Sequence, residues 1–283
     1  MALAMNMELR YLPDQESYRR MSTAELRKAF VIDSLFERGE ISAVYCDADR
    51  AIIGGAVPTR KALRLEATKK EMAAEFFNER REVGIANIGG EGSVIVDGVE
   101  HPVKRREMFY VGRGARKVEL TSDRVRDPAI FYFISFPAHA LHPSTLCGYD
   151  TAEKSTIGSP DTANRRTINK YIHAGGAKSC QLVMGLTELE IGSVWNTMPP
   201  HTHQRRMEVY LYFDFEPASA VIHLMGTPQE TRSVILRNNQ AVISPSWSIH
   251  CGAATARYSF IWAMGGENQE FTDMDQVRIE TLL

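Results

Sequence analysis

From about residue 90 onward the chain is a succession of short apolar stretches cut by turn formers, a rhythm suited to a β-sandwich or barrel. Ser93-Val-Ile-Val-Asp-Gly-Val-Glu100 alternates apolar and polar residues around Asp97-Gly98, a dipeptide that closes tight hairpins. Gly89, Gly90, Gly92, Gly112 and Gly114 punctuate the neighbouring stretches. Apolar runs follow at 130–136, 181–186, 208–215, 220–225, 232–236 and 258–264. One early segment breaks the pattern. Ser22-Thr23-Ala24-Glu25 is a helix-capping sequence, and Leu26, Ala29 and Phe30 follow at helical spacing.

Composition narrows the function classes. Lys and Arg total 33 against 35 Asp and Glu, a net charge of −2, so no basic excess favours nucleic acid. Hydrophobic residues at 44% and charged residues at 24% suit a packed globule. No apolar run reaches the ~18 residues of a membrane-spanning helix. Glu8 and Arg10 interrupt any signal-peptide core in Met-Ala-Leu-Ala-Met-Asn-Met-Glu-Leu-Arg10. Cys46, Cys147, Cys180 and Cys251 are widely spaced, as reduced thiols of a cytoplasmic protein would be.

The polar, turn-rich stretch 143–169 reads as the connection between two β units, giving domains at 1–150 and 151–283. The halves also read as degenerate copies. Glu79-Arg-Arg-Glu-Val83 matches Gln204-Arg-Arg-Met-Glu-Val209 with one insertion, and Met108–Lys117 can be laid against Ala241–His250.

The second half carries the chemistry. In His201-Thr202-His203 the two imidazoles share a face if the segment is a strand. Glu208 lies in the next strand, and His250 comes after the turn Pro245-Ser-Trp-Ser-Ile. Three imidazoles and a carboxylate suit zinc, iron, manganese, cobalt or nickel. This order of ligands matches the metal-site spacing of cupin barrels. Alternatively, the two histidines flank a polar loop, Glu208 pairs with Arg205 or Arg206, and His250 is an ordinary hydrogen-bonded residue. His101, His139, His142, His173 and His223 each stand alone and read as surface or hydrogen-bonded core residues. In the first half, Phe76, Asn78 and Lys117 fall opposite the three histidines, and only Glu82 remains of the set. The first domain therefore reads as scaffold without metal.

Longer strings add a resemblance. His201–Tyr210, Met184–Thr187, Gly192–Pro199, Ser244–His250, Gly266–Gln269, Glu79–Val83 and Thr167–Ile172 are similar to the 5-keto-4-deoxyuronate isomerase (4-deoxy-L-threo-5-hexosulose-uronate ketol-isomerase) family over essentially the whole chain. Trp247 departs from the glycine of the broader cupin pattern but agrees with that family. The resemblance implies an all-β-dominated fold of two tandem cupin-like barrels (double-stranded β-helix, or jelly-roll) with a few short helices. It also implies a homohexamer with one Zn2+ per subunit, other divalent ions being possible, held by His201, His203, Glu208 and His250. The implied substrate is a small sugar acid, and neither nucleic acid nor membrane is a partner.

The implied reaction moves a carbonyl from the first carbon to the second, converting 5-dehydro-4-deoxy-D-glucuronate to 3-deoxy-D-glycero-2,5-hexodiulosonate in pectin and uronate breakdown. A divalent Lewis acid stabilises the developing oxyanion, with an enediol route expected and a hydride shift as the other route. Lys170 is a candidate base or carboxylate anchor, or a solvated strand lysine. Arg165, Arg166, Arg205 and Arg206 are candidate carboxylate clamps. Tyr210, two residues beyond Glu208, either contacts substrate or packs in the core. The same ligand set also suits an iron-dependent dioxygenase, or a non-catalytic cupin that binds a sugar acid.

Overall fold

The computed structural model describes residues 5–267 and 269–283. The first four residues of the amino-terminal stretch read above, and Asn268 of the Gly266–Gln269 string, lie outside the described residues. No helix is long and apolar enough to cross a membrane among the described residues.

The chain forms two compact units, each discontinuous in sequence. One gathers Met1–Arg10, Ser34–Ala152 and Tyr171–Val183; the other gathers Tyr11–Asp33, Glu153–Lys170 and Met184–Leu283. Relative to a single boundary after residue 150, Tyr11–Asp33 and Tyr171–Val183 change sides. The reason is visible for the first of these. Ser22 caps the helix Thr23–Phe30 with a reciprocal Ser22–Glu25 capping box, and the helix buries Leu26 and Phe30. It leads directly into the strand Val31–Ile32, which pairs with Gln240–Ser244 of the second unit. Tyr18 and Phe30 both pack on Trp247, with ring centroids 4.9 and 6.4 Å away. The bulk of Trp247 thus docks Tyr18 and the helix Thr23–Phe30 beside the turn that presents His250.

In the first unit, a seven-stranded sheet runs in the order Asn6–Arg10, Ile41–Cys46, Ile52–Ala56, Phe131–Pro137, Arg81–Asn87, Met108–Val111, Thr145–Cys147. A four-stranded sheet runs Leu63–Leu65, Val118–Ser122, Gly92–Val96, Val99–Val103. The expected hairpin is present: Asp97 and Gly98 take φ of +49° and +88°, as a two-residue turn between twisted strands requires. The core between the sheets includes Val83, Ile85, Phe109, Phe133, Val94 and Leu120.

The second unit repeats this plan. Its seven-stranded sheet runs Glu153–Ile157, Arg166–Ile172, Val183–Leu189, Ser259–Gly266, Arg206–Phe213, Gln240–Ser244, Val31–Ile32. Its four-stranded sheet runs Trp195–Asn196, Ile249–Ala254, Val221–Thr227, Glu230–Leu236. Part of the 143–169 stretch is therefore strand rather than plain connection: Thr145–Cys147 and Glu153–Ile157 each take an edge of a sheet. All four cysteines are free thiols, with Cys46 and Cys251 buried.

The common plan corrects the internal alignment at two positions. The first rung of Arg81–Asn87 pairs Arg81 with Pro137, and the first rung of Arg206–Phe213 pairs Arg206 with Gly266. Asn78 donates to the Arg81 carbonyl at 3.2 Å, just as His203 donates from Nδ1 to the Arg206 carbonyl at 2.9 Å. Arg81 is thus level with Arg206, and the core residue Val83, not Glu82, is level with Glu208. A one-residue shift on a strand reverses the face. The Glu82 carboxylate accepts from the backbone N–H groups of Cys180, Gln181 and Leu182 at 2.7–2.9 Å and from the Tyr110 hydroxyl at 2.7 Å.

The second correction concerns His250. Val96 and Thr227 end corresponding strands; two residues earlier, Val94 pairs with Leu120 and Met225 with His250. Leu120, rather than Lys117, is the counterpart of His250, because the connection from Val111 to Leu120 is three residues longer than that from Ser244 to His250. Lys117 instead pairs with Glu119 at 2.8 Å. None of the four ligand-type residues is present at the matching positions of the first unit.

Candidate metal centre

Three separate elements of the second unit bring the four side chains together. His201 belongs to the two-residue strand His201–Thr202, which pairs with Asp275–Gln276, and His203 follows directly. Glu208 lies in the strand Arg206–Phe213 between Ser244 and Met264. His250 lies in Ile249–Ala254, opposite Met225. All four are buried, and one ligand atom from each lies within 4.8 Å of the others.

Hydrogen bonds orient the rings. His203 donates from Nδ1 to the Arg206 carbonyl at 2.9 Å, and His250 donates from Nδ1 to the Ser248 carbonyl at 3.2 Å. Since a neutral imidazole carries one proton, this tautomer leaves the Nε2 lone pairs facing the centre. The His201 and His250 Nε2 atoms are 3.0 Å apart. Glu208 Oε2 is 3.0 Å from His203 Nε2 and 2.8 Å from His250 Nε2.

Burial, with the charge of His250 acting in the same direction, pushes His201 down to about 3, so it is neutral at ordinary pH. Burial alone would raise the Glu208 carboxyl; positive charge and protons on the His250 and His203 rings, whose place a bound cation would take, outweigh it and hold the group well below the usual carboxylate range. Neutral imidazole nitrogens and one ionised carboxylate oxygen form a donor set that fits a borderline divalent cation. Around a tetrahedral zinc ion such donors sit about 3.3 Å apart, close to the contacts seen here.

His201 and Glu208 line a cavity of about 250 Å3. Its apolar wall includes Phe260, Trp262 and Phe271, and its polar groups include Arg166, Arg206 and Tyr210. Arg166 is 9% exposed and donates to the Asn164 carbonyl at 2.7 Å. Burial lowers its pKa, and no carboxylate pairs with it among the described residues. The Arg206 guanidinium is tied to the carbonyls of Glu270 at 2.5 Å and Asp273 at 3.3 Å. The Tyr210 hydroxyl shares a 3.1 Å hydrogen bond with Thr197. Burial first, and the Glu208 charge second, raise its pKa well above the normal phenol value.

The other sequence candidates are placed elsewhere. Arg165 is half exposed and paired with Glu190 at 3.1 Å, and Arg205 is paired with Asp273 at 2.6 Å and Asp275 at 3.1 Å. Neither lines the cavity; both side chains are held by carboxylates outside its lining. Lys170 shares the strand face of Arg166 and Ile168. Its ammonium is held 2.7 Å from Glu153 and lies 4.7 Å from the Phe271 ring centroid, outside the lining. His223 is a core residue bonded through Nδ1 to the Tyr212 hydroxyl at 2.8 Å, as a lone buried histidine was expected to be. Phe271, Met274 and Gln276 were missed as cavity residues. They belong to a late, mostly irregular segment with no periodic pattern to reveal it.

A model of the KduI/IolB family matches residues 31–281. The chain belongs to the KduI/IolB family. Among KduI/IolB relatives it is similar to the 4-deoxy-L-threo-5-hexosulose-uronate ketol-isomerase of Caldicellulosiruptor bescii, 50% identical over 276 residues, covering 98% of this chain and 100% of the relative. The enzyme of the same name from Halalkalibacterium halodurans is also 50% identical, over 276 residues with the same coverage. Among solved structures, an IolB-like protein from Salmonella typhimurium superposes with a TM-score of 0.67 at 12% identity, over 80% of this chain and 87% of that chain. That likeness bears on the fold alone; the KduI/IolB chain is mostly β and cupin-like, as expected.

Proposed function

We propose that this chain is a ketol-isomerase converting 5-dehydro-4-deoxy-D-glucuronate to 3-deoxy-D-glycero-2,5-hexodiulosonate in the catabolism of pectin and related uronates. The observation that carries this reading is the convergence of three Nε2 atoms and one carboxylate oxygen beside a cavity that also presents Arg166, in a KduI/IolB chain. His201, His203, Glu208 and His250 would hold one divalent ion, taken to be zinc. When bound, that ion supplies Lewis-acid polarisation to a carbonyl and its neighbouring hydroxyl.

The chain's own groups supply the rest. Arg166, buried and without a carboxylate partner among the described residues, binds the substrate carboxylate through its guanidinium. This sets the distance from the charged end of the sugar acid to the reacting end. Tyr210 keeps its proton, so its hydroxyl acts as a donor to a substrate oxygen rather than as a base. Phe260, Trp262 and Phe271 exclude water from one wall, which strengthens the polar contacts made inside. A proton then passes between adjacent carbons along an enediol route. Lys170, ion-paired with Glu153, is not used as the base in this reading.

The proposed assembly is a homohexamer in the cytoplasm, and the free cysteines suit a reducing compartment. The test is to incubate the purified chain with 5-dehydro-4-deoxy-D-glucuronate, with and without a chelator, and follow the products by proton resonance. Product formation that the chelator stops and added zinc restores is the expected result. No turnover in the metal-loaded protein would overturn the reading.

A further inference from the structure

The geometry points to a second small-molecule site, for an organic carboxylate, in the first unit. A cavity of about 180 Å3 there is lined by Arg50, Arg80, Arg81, Tyr45, Met72 and Phe77, together with Glu71, Ala74 and Pro137. Arg81 and Pro137 form the rung that corresponds to Arg206 and Gly266, so this cavity includes the strand position at which the second unit lines its own.

Arg81 is 7% exposed. It donates from Nε to the Ser135 hydroxyl at 3.1 Å and from Nη2 to the carbonyls of Ser135 at 2.8 Å and Arg50 at 2.5 Å. That edge is fully engaged, which leaves Nη1 for the cavity. Asp49 and Arg50 are held at φ of +46° and +52°, a left-handed conformation that costs a non-glycine residue energy and is retained where the surroundings require it. The turn brings the Arg50 carbonyl onto Arg81, and Arg50 is part of the cavity lining. Arg80 donates from Nη2 to the carbonyls of Met72, at 3.3 Å, and Ala73, tying the 68–80 segment to the cavity rim.

Three arginines therefore contribute to the lining against one acidic residue, Glu71, which lies 3.9 Å from Lys70. The Nη2 groups of Arg80 and Arg81 are spent on carbonyls, so a carboxylate here is met by single charge-assisted N–H contacts, and Tyr45, Met72 and Phe77 provide an apolar wall for a carbon skeleton. Asn78, Val83 and Leu120 stand where the second unit has His203, Glu208 and His250, so this site binds without turning over. The first unit lacks the metal ligands at the matching positions and has an arginine, Arg81, level with Arg206.

The test is calorimetric titration of D-glucuronate into full-length, metal-loaded protein. Wild type is expected to show two sites per chain, one of them lost in Arg166→Met. Arg50→Gln is expected to weaken the other at least tenfold with turnover unchanged, and Arg81→Gln serves as a second variant at the same site. A single site abolished by Arg166→Met overturns the inference, as does an isotherm unaltered by Arg50→Gln. Tighter binding of inorganic phosphate than of glucuronate at the Arg50-dependent site would overturn the assignment to an organic carboxylate. The Arg50-dependent binding does not require the isomerase reading to hold, because it is measured in the unit that lacks the metal ligands; only the turnover comparison rests on that reading.

Discussion

His201 and His250 face each other with their Nε2 atoms 3.0 Å apart, while the Nδ1–H of His250 is committed to the Ser248 carbonyl at 3.2 Å. Two lone pairs at that separation repel unless a cation or proton lies between them. Ser248 therefore does more than end a turn. Its hydroxyl accepts from Gly226 N–H at 2.9 Å, and its carbonyl selects the tautomer that turns His250 into a donor for the centre.

Purified protein is expected to contain about one divalent ion per chain. His203→Ala or His250→Ala should reduce this by tenfold or more, as read by elemental analysis. Because the ion binds the native state, chelation should lower the melting temperature of wild type by several degrees and leave these variants unmoved. Equal metal content in wild type and His250→Ala would show that the four side chains do not form the site.

Arg166→Met should reduce kcat/KM about 100-fold, equivalent to ~2.7 kcal/mol, mostly through KM, since it removes a buried charge-assisted contact to the substrate carboxylate. Arg165→Ala and Arg205→Ala should stay within about twofold of wild type, since Arg165 is in an exposed ion pair and Arg205 in a partly buried one, and neither lines the cavity. Steady-state kinetics on the three variants decides the point; a larger effect at Arg165 or Arg205 than at Arg166 would refute the assignment.

Turnover in deuterium oxide is expected to place solvent deuterium on the first carbon of the product, since an enediol route passes the proton through an exchangeable group. Complete retention of the substrate's own hydrogen, read by proton resonance, would instead support a hydride shift.

Acid should weaken the fold through His223. Burial first, with His250 adding, pushes this imidazole down to about 3, against an unfolded value near 6.5. Between these limits the unfolded chain takes up a proton that the native chain refuses, so the stability is whole above about pH 6.5 and declines as pH falls toward 3. At pH 5 the loss is about 2 kcal/mol. Denaturant titrations at pH 5 and pH 8 should show His223→Gln to be less pH-sensitive than wild type by about that amount. Identical pH dependence in the two proteins would remove His223 as the cause.

Local physics made much of this protein legible from its residues. The Ser22–Glu25 cap, the Asp97-Gly98 turn and the period-two apolar runs each express interactions between near neighbours, and each appears in the structure. The convergence of His201, His203, Glu208 and His250 was legible for a related reason: they are uncommon residue types in a recognisable order.

Tertiary structure decided the rest, because facing and partnership are not local properties. Glu82 matched Glu208 by residue type, yet a one-residue difference in register turned it to the opposite face, where backbone N–H groups of residues 180–182 receive it. A connection three residues longer put Leu120, not Lys117, in the place of His250. Four neighbouring arginine candidates read alike until Glu190 and Asp273 claimed Arg165 and Arg205, leaving Arg166 buried in the cavity wall. The direction of each Nε2 lone pair depended on a carbonyl that only the folded chain supplies.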